Sequence, residues 1–239
     1  MYSLRSNSVY WCASGGGKRR RVRGPDPEAA GASGPKGDES EDGDGGISLP
    51  FSLPKMTQPE TIYSHNNEIY FNDDINPESS FALIRELRQT EMRLKLIATS
   101  LGLDAPQRIL LHLTTNGGCV HSALSIIDTI QALKVPVDTV IEGMVASAGT
   151  LISLAGERRY IMPNAFALLH EVRSGFWGKM SSINEEIMNL KKVTSVITEY
   201  YIARTKITRK LIDKILKKDL IWDAAECVRR GVADEVYNP

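Results

Sequence analysis

The feature that most restricts the fold is a strand that turns into a helix through residues with almost no side chain. Val137 to Glu142 reads as a short buried strand, and Leu151 to Gly156 as a short helix closed by its glycine. Between them lies Gly143-Met144-Val145-Ala146-Ser147-Ala148-Gly149-Thr150. Ser147 therefore falls at a helix N-terminus, where unpaired N–H groups and the helix dipole favour negative charge. A small residue packed at a tight turn is the commoner explanation of such an octapeptide taken alone.

The surrounding pattern repeats the alternation. Glu68 to Phe71 and Arg108 to Thr114 are strand candidates, as are Arg158 to Met162 and Phe166 to His170. Glu78 to Ser100 carries Phe81, Ile84, Leu87, Leu94 and Ile97 at mostly helical spacing, with Gly102 as its stop. His121 to Lys134 reads as a helix with Leu124, Ile127 and Ile130 inward. Ser181 to Arg204 is a long helix with Ile183, Ile187, Leu190, Ile197 and Tyr201 on one side. Thr208 to Leu216 is another, and Asp223 caps a last helix that ends at Gly231. Strands alternating with helices indicate a parallel α/β sheet with right-handed crossovers. Ligand sites in such sheets lie beyond the carboxyl ends of the strands. Thr115-Asn116-Gly117-Gly118 and Ala146-Ser147-Ala148-Gly149 both fall there, which makes one candidate site of two weak motifs.

Composition removes several classes. The chain has 239 residues, enough for a sizeable core. Its 29 basic and 29 acidic residues balance, so overall charge gives no case for nucleic acid or a membrane surface. No apolar run is long enough to span a bilayer. Cys12, Cys119 and Cys227 have neither zinc-ligand nor disulfide spacing, which suits a reducing compartment such as the cytoplasm. Residues 1–57 differ: they are rich in Gly, Ser, Pro and charge and lack apolar periodicity, so they are expected to form a disordered tail ahead of one folded domain, 58–239. The basic block Lys18 to Arg23 would suit an organellar or nuclear address, but a solvated tail is the commoner explanation, Asp26 and Glu28 follow closely, and transit peptides avoid acids.

A serine hydroxyl attacks a carbonyl only when a base takes its proton and a carboxylate steadies that base. Four histidines are present. His65 is near the tail, and His112 sits in an apolar strand as a core residue. His170 ends a strand and His121 opens a helix; position favours His170 and leaves His121 open. Among the aspartates, Asp223 has a capping duty, while Asp128 and Asp213 lie on helices. Asp219 precedes the cap with no structural duty of its own. Gly118 and Ala148 are plausible backbone donors for an oxyanion hole.

These residues carry a resemblance. From about Glu68 to Val236 the chain resembles the family of Clp protease proteolytic subunits, ClpP. Thr115 to Gly118 looks like the family's SPGG turn, and Gly143 to Gly149 matches its G-x-x-A-S-x-G nucleophile motif. Met162-Pro163-Asn164 leading to His170 matches its L-P-N…H segment. Lys218-Asp219, then Ala224, Glu226, Gly231 and Asp234, resemble its carboxyl-terminal motif. The resemblance implies Ser147, His170 and Asp219 as catalytic residues and Gly118 and Ala148 as oxyanion donors. It implies the ClpP/crotonase-like α/β fold of repeated ββα units, with Ser181 to Arg204 as a protruding handle helix. It also implies a serine endopeptidase acting on unfolded polypeptides inside two stacked seven-membered rings. The partner would be a Clp-type AAA+ unfoldase ring, which alone uses ATP. The subunit itself needs no cofactor or metal, and it carries no G-x-x-x-x-G-K-[ST] nucleotide loop.

Three departures stand out. Asn116 replaces the turn's proline, and Glu171-Val172 replaces the usual Gln-Pro after the histidine. A carboxylate at 171 would favour an imidazolium if it pointed at His170. The long amino-terminal tail does not match the family. Other readings of such a chain are a crotonase-type acyl-CoA enzyme, a dormant ring subunit, and a viral capsid-processing relative.

Overall fold

The computed structural model describes residues 60–175 and 179–238. The expected tail, 1–57, lies outside the described residues. The chain order is β1 (Ile62–His65), β2 (Glu68–Asn72), α1 (Pro77–Leu101), β3 (Ile109–Thr115), α2 (Val120–Ala132), β4 (Val137–Ala146) and α3 (Ala148–Ser153). Then follow β5 (Arg159–Ile161), β6 (Phe166–Leu169), a 3-10 turn (Met180–Ser182) and α4 (Ile183–Arg204). The chain closes with α5 (Arg209–Leu216), β7 (Leu220–Trp222), α6 (Ala224–Arg230) and β8 (Glu235–Val236).

The strands form one sheet in the order β1-β2-β3-β4-β5-β8, with β6 and β7 branching from β4. Pairing from β2 through β5 is parallel, as the strand–helix alternation predicts, and β1 and β7 are antiparallel additions. The branch is made within β4. Its first half pairs with β5 through Thr139–Ile141, and its second half with β6 through Met144–Ala146. Between the halves Gly143 has φ 51°, and the β3–β4 register jumps from Leu113↔Ile141 to Thr115↔Val145. Extra residues in one strand bend it, and only glycine takes that φ without strain.

The helices start and stop where local chemistry directs. Asn76 caps α1 by accepting from the Ser79 N–H at 2.8 Å, and Ser79 Oγ accepts from the Asn76 N–H at 3.1 Å. That reciprocal pair satisfies two N–H groups that a helix start leaves open. Gly102, in the left-handed region at φ 64°, ends the helix. Asp223 caps α6 by accepting from the Glu226 N–H at 2.8 Å, as expected.

The core lies between the helices and one face of the sheet. Ile69, Phe71, Leu111, Leu113, Ile126, Ile141 and Leu151 are all almost fully buried. Two helix faces differ from the expected ones. On α1, Leu83, Leu87, Leu94 and Ala98 are buried, whereas Phe81 is 69% exposed. On α4 only Ile197, Thr198 and Tyr201 are buried, and Ile187 and Met188 stand in solvent. Apolar spacing places residues on one side of a helix but does not say how far along its length a neighbour reaches.

Candidate active site

Four neighbouring strands deliver the candidate residues to one place. β3 ends at Thr115 and leads into Gly117-Gly118; β4 ends at Ala146, next to Ser147. β6 pairs with the end of β4, and the Ser147 N–H donates to the Leu168 carbonyl at 2.9 Å. β6 ends at Leu169, so His170 follows immediately. β7 runs antiparallel to β6 with Leu169 opposite Leu220, so His170 leaves β6 at the end where Asp219 leads into β7. The fourth and shortest of these strands, β7, which periodicity in Lys217–Trp222 does not signal, thus brings the sequence-distant aspartate near His170.

Ser147 sits at a sharp elbow between β4 and α3, with φ 54° and ψ −125°. Such a backbone costs a non-glycine residue on the order of 1–3 kcal/mol and persists only when its surroundings fix it. The fixing bonds are visible. The Ser147 carbonyl accepts from the Thr150 N–H at 3.0 Å and from Thr150 Oγ1 at 2.7 Å. Thr150 Oγ1 also lies 2.5 Å from the Tyr201 hydroxyl. The carbonyl can only accept, so Thr150 spends its one hydroxyl proton there and Tyr201 must donate to Thr150. Burial holds the Tyr201 phenol protonated by raising its pKa well above the ordinary value. This relay was not legible in the sequence, where Tyr201 is one more residue of an apolar stripe.

The glycines are fixed by contact as well as by conformation. Gly118 has φ 143°, and a Cβ there would stand 2.1 Å from the Ile75 carbonyl oxygen. Gly117 has φ 96°, and its Cβ would meet Ser147 Cβ at 2.6 Å. The loop is pinned by the Ile75 N–H donating to the Gly117 carbonyl at 2.8 Å and the Cys119 N–H donating to the Ile75 carbonyl at 2.7 Å. Asn116 reaches Asp74 Oδ1 at 3.4 Å, a side-chain contact that the proline of the family turn lacks. Ala148 opens α3, so its N–H has no acceptor within the helix.

A cleft of about 30 Å³ joins these parts. Ser147, His170, Arg173, Gly118 and Ala148 line it, against an apolar wall of Val120, Leu151, Val172, Ile197 and Tyr201. Asp219 is not part of its lining. The His170 ring contacts Glu171 through Nδ1, which lies 2.8 Å from the Glu171 carbonyl oxygen. A carbonyl only accepts, so this bond requires the Nδ1–H tautomer and leaves the Nε2 lone pair available as a base. Glu171 thus touches His170 through its backbone and not through its carboxylate. The Glu171 N–H in turn donates to the Leu216 carbonyl at 2.7 Å, which fixes this segment to the end of α5. Asp219 is exposed and paired with Arg173, whose Nη2 donates to its Oδ2. Arg173 is the residue that sequence reasoning overlooked; three positions after His170, it belongs to no motif.

The other candidates lie elsewhere. His121 is exposed on the first turn of α2, and His65 is exposed on β1. His112 is buried in β3 with Nδ1 2.7 Å from Glu142 Oε1, and its ring stacks on Tyr70. Its Nε2 has no partner among the described residues, so it is less completely satisfied than a core histidine is expected to be. Asp128 and Asp213 lie exposed on α2 and α5. Among the described residues no cluster of three or more His, Cys, Asp or Glu is placed to hold a metal ion, and no helix is long and apolar enough to cross a membrane.

Residues 70–239 match the family described as Clp protease, a span that takes in β3 through β8 together with Gly118, Ser147, Ala148, His170 and Asp219. That match covers well over half of the chain, and with a mixed sheet and six helices among the described residues it identifies a peptidase of the ClpP/crotonase-like fold: the chain belongs to the Clp protease family.

Proposed function

We propose that this chain is a serine-type endopeptidase subunit in which Ser147 is the nucleophile, His170 the base and Asp219 the carboxylate that steadies it. Ser147 Oγ attacks the peptide carbonyl carbon while His170 Nε2 takes the hydroxyl proton. The Gly118 and Ala148 N–H groups hold the negative oxygen that forms; one such donor is worth about 3 kcal/mol. The C–N bond then breaks, and His170 gives its proton to the leaving amine. Water, deprotonated by His170, attacks the acyl-serine ester, and the serine recovers its proton as the acid departs.

The observation that carries this reading is convergence: the ends of β3, β4 and β6 and the start of β7 lie side by side, and each bears one of the required groups. The strained Ser147 elbow supports it, since a half-buried serine that lines the cleft from a sharp strand-to-helix turn suits a nucleophile. Ser147→Ala should abolish both cleavage of a small fluorogenic peptide and labelling by a fluorophosphonate. Cleavage by the alanine variant would overturn the assignment.

Assembly and partners follow the family. The reading is of two stacked seven-membered rings with the sites facing an inner chamber, fed with unfolded chains by an AAA+ ring that consumes the ATP. The uncovered apolar residues Ile187, Met188 and Val196 on α4, and Met92, Leu96 and Leu101 on α1, support self-association. The chemistry drawn above uses no metal or cofactor. The cytoplasm, or an organelle stroma or matrix, is the compartment consistent with its cysteines.

A further inference from the structure

We propose that Arg173 is an autoinhibitory latch: it holds Asp219 away from His170 and keeps the subunit latent until the ion pair opens. The inference rests on the reading of Ser147, His170 and Asp219 as the catalytic set.

Three observations carry it. First, His170 directly follows β6 at the end where Asp219 leads into β7, with Leu169 paired to Leu220, so no long-range movement separates them. Second, each already has a different partner. Asp219 is paired with the Arg173 guanidinium, and His170 Nδ1 with the Glu171 carbonyl. Third, Arg173 lines the same cleft as Ser147 and His170. That cleft has room for about two waters.

Arg173 opposes catalysis in two ways. It neutralises the carboxylate that would stabilise the imidazolium formed in the first step. It also adds a fixed positive charge to the lining of the cleft in which the His170 ring must become positive. The Glu171 carbonyl meanwhile keeps His170 in the tautomer that leaves Nε2 as the base, so the latched state lacks only the charge, not the ring orientation. The pair is solvent-exposed, with Arg173 63% and Asp219 55% accessible. Exposed pairs are weak and screened by salt, so the latch opens easily and is sensitive to whatever else contacts Arg173.

The test uses the full chain with Arg173→Gln and Arg173→Lys. Measured quantities are the rate of fluorophosphonate labelling, with the labelled residue mapped by mass spectrometry, and kcat/KM on a fluorogenic peptide from about 50 to 500 mM salt. Native mass is recorded for each variant. The latch predicts that Arg173→Gln labels Ser147 about three- to fivefold faster than the wild type, the range of an exposed ion pair. It predicts that the wild type is activated by salt, that Arg173→Gln is not, and that Arg173→Lys stays close to the wild type. An unchanged or slower rate in Arg173→Gln, with Ser147 still labelled, overturns the latch and leaves the catalytic assignment standing. Absence of labelling at Ser147 in every variant overturns both.

Discussion

His170 leaves β6 at the end where Asp219 leads into β7, and neither is hydrogen-bonded to the other. Their approach depends on two short strands, four and three residues long. The rest of the site depends on the elbow at Ser147 and the loop at Gly117-Gly118.

Gly117→Ala puts a methyl group where Ser147 Cβ already lies, 2.6 Å away, at a φ of 96° that alanine resists. Either the loop or the elbow must shift. Displacing a reacting group by about 1 Å costs on the order of 10²-fold in rate. Peptide cleavage should therefore fall by at least about that factor, with a thermal midpoint only a few degrees lower. Steady-state kinetics and thermal unfolding on the same preparation check it.

Tyr201→Phe removes the donor at the head of the relay to Thr150 and the Ser147 carbonyl. Tyr201 is buried, and Thr150 Oγ1 loses its only donor in this relay. The expected loss is about 1–2 kcal/mol of stability, read from the urea midpoint. Tyr201→Phe should also lower kcat more than it raises KM, because the relay fixes the peptide of Ser147, the proposed nucleophile.

Glu91 joins α1 to the end of α2. Its Oε1 accepts from the Lys134 N–H at 2.5 Å and the Val135 N–H at 3.1 Å, and pairs with Lys95 at 2.8 Å. Burial works against its charge, but the Lys95 and backbone bonds prevail and hold the carboxyl below its ordinary value of 4.5. A carboxylate depressed in the folded state contributes stability above its unfolded pKa and loses it as pH falls through the folded one. Wild-type stability should thus decline between about pH 5 and pH 3, and Glu91→Gln should flatten part of that decline. Urea midpoints across that range measure it.

Much of the site was readable as spacing. The small-residue run around Ser147, the Gly-Gly turn and His170 at a strand end are all local patterns, and local patterns are what sequence periodicity reports. The fold class followed for the same reason. What escaped was set by tertiary contact. β7 is three residues long and pairs only with β6, so nothing in Leu220–Trp222 marks it as the strand that carries Asp219 beside His170. The fork in β4 was equally hidden: its second half, Met144–Ala146, reads as part of a turn until β6 pairs with it. Phe81 matched the helical period and still faces solvent, because the period fixes a stripe's direction to within a residue and not its edge. Arg173 left no trace at all, since an exposed arginine in an irregular segment has no pattern to break.

The two unlike ends of α4 have a mechanical meaning. The helix is clamped at Tyr201 and free at Ile183, a cantilever of roughly 27 Å at 1.5 Å per residue. Force applied to its bare outer half reaches the clamp as torque. The clamp is a hydroxyl whose next two contacts are Thr150 and the peptide of Ser147. A load on Ile187 or Met188 is therefore felt at Ser147 through one rigid rod and two hydrogen bonds.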